Sequence, residues 1–121
     1  ITKEKIPFIN ENFNVEKAIE IINLKKLGTV ITRDKKNNTT GILTDGDIKR
    51  LLQKFDNIKK LKLKDIVKKG PISVEKDLLA VKASKIMNDK KITSLCVHSK
   101  SKKNKTVGLI HIHNILDANI Q

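Results

Sequence analysis

The sequence predicts an α+β fold in which one β-α-β-β-α unit occurs twice. The first observation is the stretch 40–52, TGILTDGDIKRLL, which joins a short apolar run, an Asp-Gly turn signal and the start of an amphipathic helix. The second is the stretch 107–118, VGLIHIHNILDA, in which Asn114 follows Asp47 at a spacing of 67 residues. A repeated supersecondary unit accounts for both stretches.

The spacing between the two copies changes along the unit. Ala83 and Leu95 lie 65 residues after Ala18 and Val30, so the connection between the two antiparallel strands must be two residues longer in the second copy. Halves of about 60 residues bury too little apolar surface to be stable alone. We therefore expect the two units to pack against one another as a pseudo-two-fold body.

The first unit, residues 1–57, contains a strong helix start in its second half. Thr44 precedes Asp47 by three residues, the spacing of a capping box, and the helix begins near Gly46. Before it, an extended segment at 6–9 leads to a helix that is capped by Asn14, carries an apolar stripe and is ended by Gly28. Two antiparallel strands follow at 29–32 and 39–43, and a polar connection at 33–38 joins them.

The second unit, residues 71–121, repeats this order after a lysine-rich linker at 58–70 with a single turn of helix at 65–67. An extended segment at 72–74 leads to a helix capped by Asp77. A strand at 92–98, a hairpin tip at 100–105 and the returning strand follow.

Cysteine usage and hydropathy indicate a reducing, aqueous compartment. Cys96 is the only cysteine, which excludes a disulfide within the chain, and its position in the apolar run 95–97 predicts a buried strand thiol. No apolar run approaches the roughly 18 residues needed to span a bilayer. The chain starts without Met or a signal pattern and enters a repeat at once, so we expect a fragment of a longer cytoplasmic protein.

The net charge of +13 raises nucleic acid as a partner, because lysines that neutralise phosphates supply non-specific affinity. Arginine occurs only at Arg33 and Arg50, Trp and Tyr are absent, and the three Phe residues are not interleaved with basic positions as stacking platforms would be. A Lys-, Ile- and Asn-rich composition is also what an AT-rich genome produces. A basic nucleic-acid-binding module is therefore an alternative, and nucleic acid is not the expected partner.

The order of elements and the repeated motif resemble a known family. Helix, strand, hairpin, strand and helix occur in tandem, and each copy ends in glycine, two hydrophobic residues, a polar position and, three residues later, Asp or Asn. This arrangement is similar to a pair of CBS (cystathionine-β-synthase) domains. The resemblance implies two CBS units that bind adenosine nucleotides or related ligands in clefts between the repeats.

Three short motifs narrow the resemblance: TDGD at 44–47, ITS at 92–94 and HIH at 111–113. Together they are similar to the C-terminal CBS pair of arabinose-5-phosphate isomerases of the lipopolysaccharide and capsule pathway. There an N-terminal sugar-isomerase domain interconverts ribulose 5-phosphate and arabinose 5-phosphate. The resemblance implies a regulatory module whose ligand is an adenosine nucleotide or an end product such as CMP-Kdo, the cytidine-monophosphate-activated octulosonate sugar.

The resemblance implies a first ligand site at Thr29, Thr44 and Asp47. The Asp47 carboxylate at the helix start can accept hydrogen bonds from two vicinal ribose hydroxyls, and the Thr44 hydroxyl and the helix N-terminus can hold a phosphate. Backbone amides near Thr29 and Ile72 would contact the base. The alternative, that Thr44 and Asp47 only cap a helix, stays open because one geometry serves both roles.

The second implied site contains Ser94, His111 and Asn114, and it departs from the family pattern. His111 stands where Thr is usual and Asn114 where Asp is usual. Asn keeps the hydrogen bonds to ribose without the charge, and a protonated His111 can donate to a phosphate or carboxylate. His111 and His113 alternate along the chain, but two histidines without a third ligand make a poor metal site, so we expect no metal.

The sequence contains no Ser/His/Asp or Cys/His arrangement and no glycine-rich phosphate loop. We therefore expect this chain to be a non-catalytic module without a cofactor. A CBS pair from another parent, such as a transporter or a nucleotide enzyme, is an alternative. We also expect two chains to associate through the apolar helical faces around Ile48, Leu51 and Ile115.

Overall fold

The computed structural model describes residues 6–71, 73–78, 80–99 and 101–112. The chain divides into two compact units at Pro71. The first unit contains β1 (Phe8–Asn10), α1 (Val15–Lys25), β2 (Thr29–Arg33), β3 (Thr39–Thr44), α2 (Asp45–Lys54), α3 (Leu63–Ile66) and β4 (Lys68–Lys69). The second unit contains β5 (Ser73–Glu75), α4 (Ala80–Lys90), β6 (Ser94–His98) and β7 (Thr106–His111).

The two sheets repeat one topology. In the first unit the strand order is β1-β2-β3-β4, with β1 parallel to β2 and the other neighbours antiparallel. In the second unit the order is β5-β6-β7, with β5 parallel to β6 and β6 antiparallel to β7. The predicted α+β class with a repeated β-α-β-β unit is confirmed. The predicted last helix of the second unit lies outside the described residues.

The register of the strands also repeats. Thr29 pairs with Thr44 in the first unit, and Ser94 pairs with His111 in the second. Each hairpin has a register shift at its outer end, between Thr32 and Arg33 in one copy and between Val97 and His98 in the other. The strands are joined by residues 34–38 and 99–105, so the second connection is two residues longer, as the repeat spacing predicts.

Helix α1 forms where its cap and its apolar stripe predict. The Asn14 side chain accepts a 3.1 Å hydrogen bond from the Lys17 backbone N–H, and Val15, Ala18 and Ile22 are buried. The helix ends earlier than expected, because Lys26 already has the left-handed conformation with φ 58°. The left-handed conformation costs lysine more free energy than it would cost glycine. Gly28, two residues later, does not end the helix and instead contacts the start of α2.

Each unit has its own apolar core. The first core combines residues of α1, the first three strands and the segment 58–67: Ile9, Val15, Ala18, Ile22, Val30, Leu43, Ile58, Leu63 and Val67. The second combines residues of α4 and the second sheet: Val74, Ala83, Met87, Leu95, Val97 and Ile110. The stripes of both predicted helices therefore supply core residues.

The segment that the sequence suggested as a linker, 58–70, packs into the first unit. The Val15 backbone N–H donates to the Leu61 carbonyl at 2.9 Å, and the Leu63 N–H donates to the Phe13 carbonyl at 2.9 Å. Leu63 is fully buried, and β4 adds two residues to the sheet beside β3. The first unit thus includes a short helix and an edge strand in addition to the elements that the two units share among the described residues.

Helix α2 differs from α1 because none of its side chains is buried. Ile48 and Leu51 are half-buried against the first core, while Leu52 is 58% exposed and Phe55, just after the helix, is 45% exposed. An apolar face of this kind on a surface helix is typical of a contact surface.

Candidate ligand-binding site

The start of α2 is a complete capping box, as the sequence predicts. The Asp47 backbone N–H donates to Thr44 Oγ1 at 3.2 Å, and the Thr44 backbone N–H donates to Asp47 Oδ2 at 2.9 Å. The Thr44 hydroxyl also donates to Asp47 Oδ2 at 3.0 Å. These bonds satisfy backbone donors that have no partner within the helix. They also commit the Thr44 hydroxyl proton to Asp47.

Arg50 completes the site, although the motifs in the sequence did not single it out. Arg50 Nη2 donates to Asp47 Oδ1 at 2.6 Å. The signal was present in the spacing, because residues three apart on a helix face one another and an Asp to Arg pair at this distance is favourable. The Arg50 side chain is 68% exposed, so the guanidinium keeps most of its surface for other partners.

The hydrogen bonds of Asp47 leave one acceptor position. A carboxylate offers about four lone-pair directions, two on each oxygen. Two are used on Oδ2, by the Thr44 backbone N–H and hydroxyl, and one is used on Oδ1, by Arg50. The side chain is 36% exposed, so an outside donor can reach the remaining direction on Oδ1. Capping and ligand binding are therefore compatible at this carboxylate.

Thr29 lies beside this helix start, because β2 and β3 pair it with Thr44. It is fully buried, and its hydroxyl donates to the Leu43 carbonyl at 3.2 Å. Next to it, Gly28 has φ 70° and its carbonyl accepts the Asp45 N–H at 3.0 Å; a Cβ there would come within 3.2 Å of the Asp45 carboxylate. This close approach requires glycine and holds the loop before β2 against the start of α2.

A groove lies alongside α2 within the first unit. Its volume is about 180 Å³. The floor is apolar, and Asp47, Arg50 and Lys54 supply its charged groups. The lining residues are Ile42, Leu43, Asp47, Arg50, Leu51, Lys54 and Ile66. The groove therefore has one anionic and two cationic side chains beside an apolar surface, a composition that suits a small amphipathic anion.

In the second unit the structure brings Ser94 and His111 together as directly paired residues of β6 and β7. The Ile112 N–H donates to the Thr93 carbonyl at 2.9 Å, which extends the pairing beyond the strands. Ser94 is 6% exposed, and its buried Oγ has no hydrogen-bond partner among the described residues. Ile72 and Asn114, the other predicted residues of the two sites, lie outside the described residues.

Two further observations concern the predictions for Cys96 and for metal. Cys96 is buried, and burial raises the pKa of its thiol to about 11, while a hydrogen bond with Thr106 acts in the opposite direction. A thiol of this kind is a poor nucleophile near neutral pH.

Within residues 6–71, 73–78, 80–99 and 101–112, no cluster of three or more His, Cys, Asp or Glu side chains could hold a metal ion.

Comparison with known proteins assigns the family. A profile of the CBS domain matches residues 1–54 and again residues 63–120. The chain belongs to the CBS domain family. The match to two segments agrees with the two repeats found from the residues, and the second segment includes α3 and β4.

Curated relatives align with almost the whole chain. An uncharacterized protein of Rickettsia prowazekii, RP505, is 32% identical over 117 residues, covering 97% of the chain and 35% of the relative. Arabinose 5-phosphate isomerase KdsD of Salmonella typhi is 29% identical over 119 residues, covering 98% of the chain and 35% of the relative. This CBS pair therefore spans about a third of the length of the curated relatives that it matches.

Solved structures support the fold. The CBS-pair protein CBSX2 of Arabidopsis thaliana, solved in complex with AMP, superposes with a TM-score of 0.81 over 100% of the chain and 93% of CBSX2. The sequence identity is 18%.

Over the described part of this CBS chain, no helix is both long and apolar enough to cross a membrane.

Proposed function

We propose that the chain is the regulatory ligand-binding module of a sugar-phosphate isomerase and senses a nucleotide or nucleotide sugar. The observation that carries the proposal is the start of α2, where Asp47 keeps a free acceptor direction beside the exposed guanidinium of Arg50. The alignment of 98% of the chain with KdsD supports an arabinose-5-phosphate isomerase as the parent, with a role in Kdo and lipopolysaccharide synthesis. In that parent we place catalysis in a separate N-terminal sugar-isomerase domain.

The first unit offers the groups that a nucleoside phosphate needs. A ribose hydroxyl donates to Asp47 Oδ1, and the phosphate accepts from Arg50. The backbone N–H groups of Asp45 and Asp47 already donate to the Gly28 carbonyl and to Thr44 Oγ1, so we do not assign them to the phosphate. Because the Thr44 hydroxyl already donates to Asp47, we assign the anion contact to Arg50 and keep Thr44 as the residue that positions Asp47. The buried Thr29 hydroxyl is bonded to Leu43, so any contact of Thr29 with a base uses its backbone.

The second unit is proposed to supply Ser94, His111 and Asn114, with the backbone of Ile72. The support is the repeated register, which places Ser94 and His111 where the first unit has Thr29 and Thr44. An imidazole donates to a phosphate most strongly when it is protonated.

Adenosine nucleotides and CMP-Kdo are the two ligand classes that we propose. The structure of CBSX2 with AMP supports the first, and the relationship to KdsD supports the second as a feedback ligand. Both carry a ribose diol and a phosphate, so both fit the Asp47 and Arg50 arrangement. The base and the sugar acid distinguish them.

Titration calorimetry with AMP and with CMP-Kdo tests the proposal. Asp47→Ala should weaken binding about ten- to hundredfold, since it removes a charge-assisted hydrogen bond worth roughly 1.5 to 3 kcal/mol. The matched control is Asp56→Ala, which removes an equal charge from an exposed residue of the same unit. If neither ligand gives heat, or if both variants bind like the parent chain, Thr44 and Asp47 are a helix cap only.

We also propose that two copies associate through α2. The support is the exposed apolar face that includes Leu52 and Phe55, on a helix without a buried side chain. Leu52→Glu places a charge on this face. Sedimentation should give a dimer for the parent chain and a monomer for the variant. A strict monomer of the parent chain at high micromolar concentration would refute the association.

A further inference from the structure

The segment 59–69 concentrates positive charge on one part of the first unit. It contains six lysines and one acidic residue in the sequence KKLKLKDIVKK. Lys59, Lys60, Lys62, Lys64 and Lys69, which we call the lysine ridge, are all exposed. With 24 lysines in 121 residues, an even distribution would place about two in such a segment. The lysine density of this segment is therefore almost three times the average of the chain.

The backbone that carries the ridge is held firmly. The carbonyl of Lys59 accepts the Glu16 N–H at 3.2 Å, and the Lys64 N–H donates to the Glu11 carbonyl at 2.9 Å. Between the lysines, Leu63 and Val67 are buried in the core. The alternation of exposed lysines with core residues thus presents the charges from a fixed base, which lowers the entropy cost of binding compared with a flexible basic tail.

Within the described part of the chain, the side chains of the ridge lysines form no ion pair. The ion pairs found there join Lys17 to Glu20, Arg50 to Asp47 and Lys85 to Asp89, and none includes a ridge lysine. Five exposed ammonium groups within eleven residues give this part of the unit a positive potential, which favours an anionic partner.

The residue types in the segment 59–69 indicate which class of anionic partner it binds. Lysine is depleted at protein-protein interfaces, whereas it binds phosphate well as a compact point charge. The segment 59–69 has no arginine for base-specific bidentate contacts. One exposed aromatic residue, Phe13, lies beside it, whereas proteins that bind single strands stack successive bases on several aromatic side chains. We infer that the lysine ridge binds the phosphate backbone of double-stranded nucleic acid without sequence preference. This inference does not depend on the proposed nucleotide site, because the ridge excludes Thr44, Asp47 and Arg50.

The test measures binding of the whole chain to a short fluorescent DNA duplex over a range of NaCl concentrations. A ridge variant carries Lys59→Gln, Lys60→Gln, Lys62→Gln and Lys64→Gln. The matched control removes four charges from exposed lysines of the second unit, Lys76, Lys82, Lys90 and Lys103, again by substitution with Gln. Circular dichroism and thermal unfolding establish that both variants are folded.

The ridge variant should lower the slope of log affinity against log salt by about 3.6, roughly 0.9 for each phosphate that the protein no longer neutralises, and the control by less than about 1. Equal reductions in the two variants would mean that net charge alone attracts the duplex and would overturn the inference. The absence of duplex binding by the parent chain at low salt, or tighter binding of polyglutamate than of duplex, would also overturn it. AMP binding by the ridge variant should be unchanged, which separates this result from the test of the proposed function.

Discussion

The two units have the same strand register, but the polar side chains of the residue pair where β2 and β6 begin form different hydrogen bonds. In the first unit, Thr29 and Thr44 form hydrogen bonds to Leu43 and Asp47, and the cap leaves the carboxylate facing outward. In the second, the paired residues are Ser94 and His111, and the buried Ser94 Oγ has no partner in the part of the chain that the structure describes. The backbone topology is therefore repeated, while the polar chemistry on it has diverged between the units.

The largest predicted effect concerns the segment 58–70, which packs into the first unit. Leu63→Ala removes a fully buried side chain of α3 and should lower the free energy of unfolding by about 2 to 5 kcal/mol. Lys62→Ala, an exposed neighbour, is the control and should stay within about 0.5 kcal/mol. Urea unfolding measures both. Equal, small effects would mean that 58–70 is only a linker and that the two units are matched in their cores.

The second prediction uses a position where the repeat places Ile31 in one unit and Cys96 in the other, 65 residues apart. Because burial raises the pKa of the folded Cys96 thiol from 9.0 to about 11, the unfolded chain ionises first, and stability is lost as the pH rises between these values. The loss reaches about 3 kcal/mol above pH 11, since each pKa unit corresponds to about 1.4 kcal/mol. Cys96→Ala should lack it.

Unfolding at pH 8 and at pH 10.5 checks this difference, with the variant as the control for lysine titration. An identical pH dependence in the parent chain and in Cys96→Ala would mean that the thiol is not buried as described. In that case the second sheet is more open at Cys96 than the first sheet is at Ile31.

The smallest predicted effects compare the side-chain hydroxyls of Thr29 and Ser94. Thr29→Val removes the donor to the Leu43 carbonyl and should cost about 0.5 to 1.5 kcal/mol of unfolding free energy. Ser94→Ala removes a buried hydroxyl for which the described residues provide no partner, so it should be neutral or slightly stabilising. Thermal unfolding of both variants decides. If Ser94→Ala costs as much as Thr29→Val, Ser94 has a partner and the two units are chemically alike.

Much of this fold could be predicted because local signals and the repeat agree. The capping box follows from Thr44 and Asp47, and the two extra residues in the second connection follow from the change of repeat spacing from 65 before it to 67 after it. The segment 58–70 was harder, because α3 has only four residues and β4 two, and its buried Leu63 and Val67 stand among lysines. Tertiary contacts, and not local propensity, determine such short elements.

The candidate site was predictable in part. Sequence reasoning selected Thr44 and Asp47 and expected the threonine hydroxyl to hold a phosphate, but it did not determine which donor bonds to which acceptor. The geometry shows the hydroxyl donating to Asp47 and brings Arg50 to the carboxylate. The number of acceptor directions left on Asp47 depends on these bonds, so it required atomic positions.

The central claim, that the start of α2 binds a nucleotide and does not only cap a helix, is tested most directly by calorimetric titration of AMP into Arg50→Gln. This substitution leaves the capping box between Thr44 and Asp47 intact and removes only the exposed cation. We predict that AMP binds about tenfold more weakly while the free energy of unfolding changes by less than about 0.5 kcal/mol. An AMP affinity equal to that of the parent chain would contradict the claim.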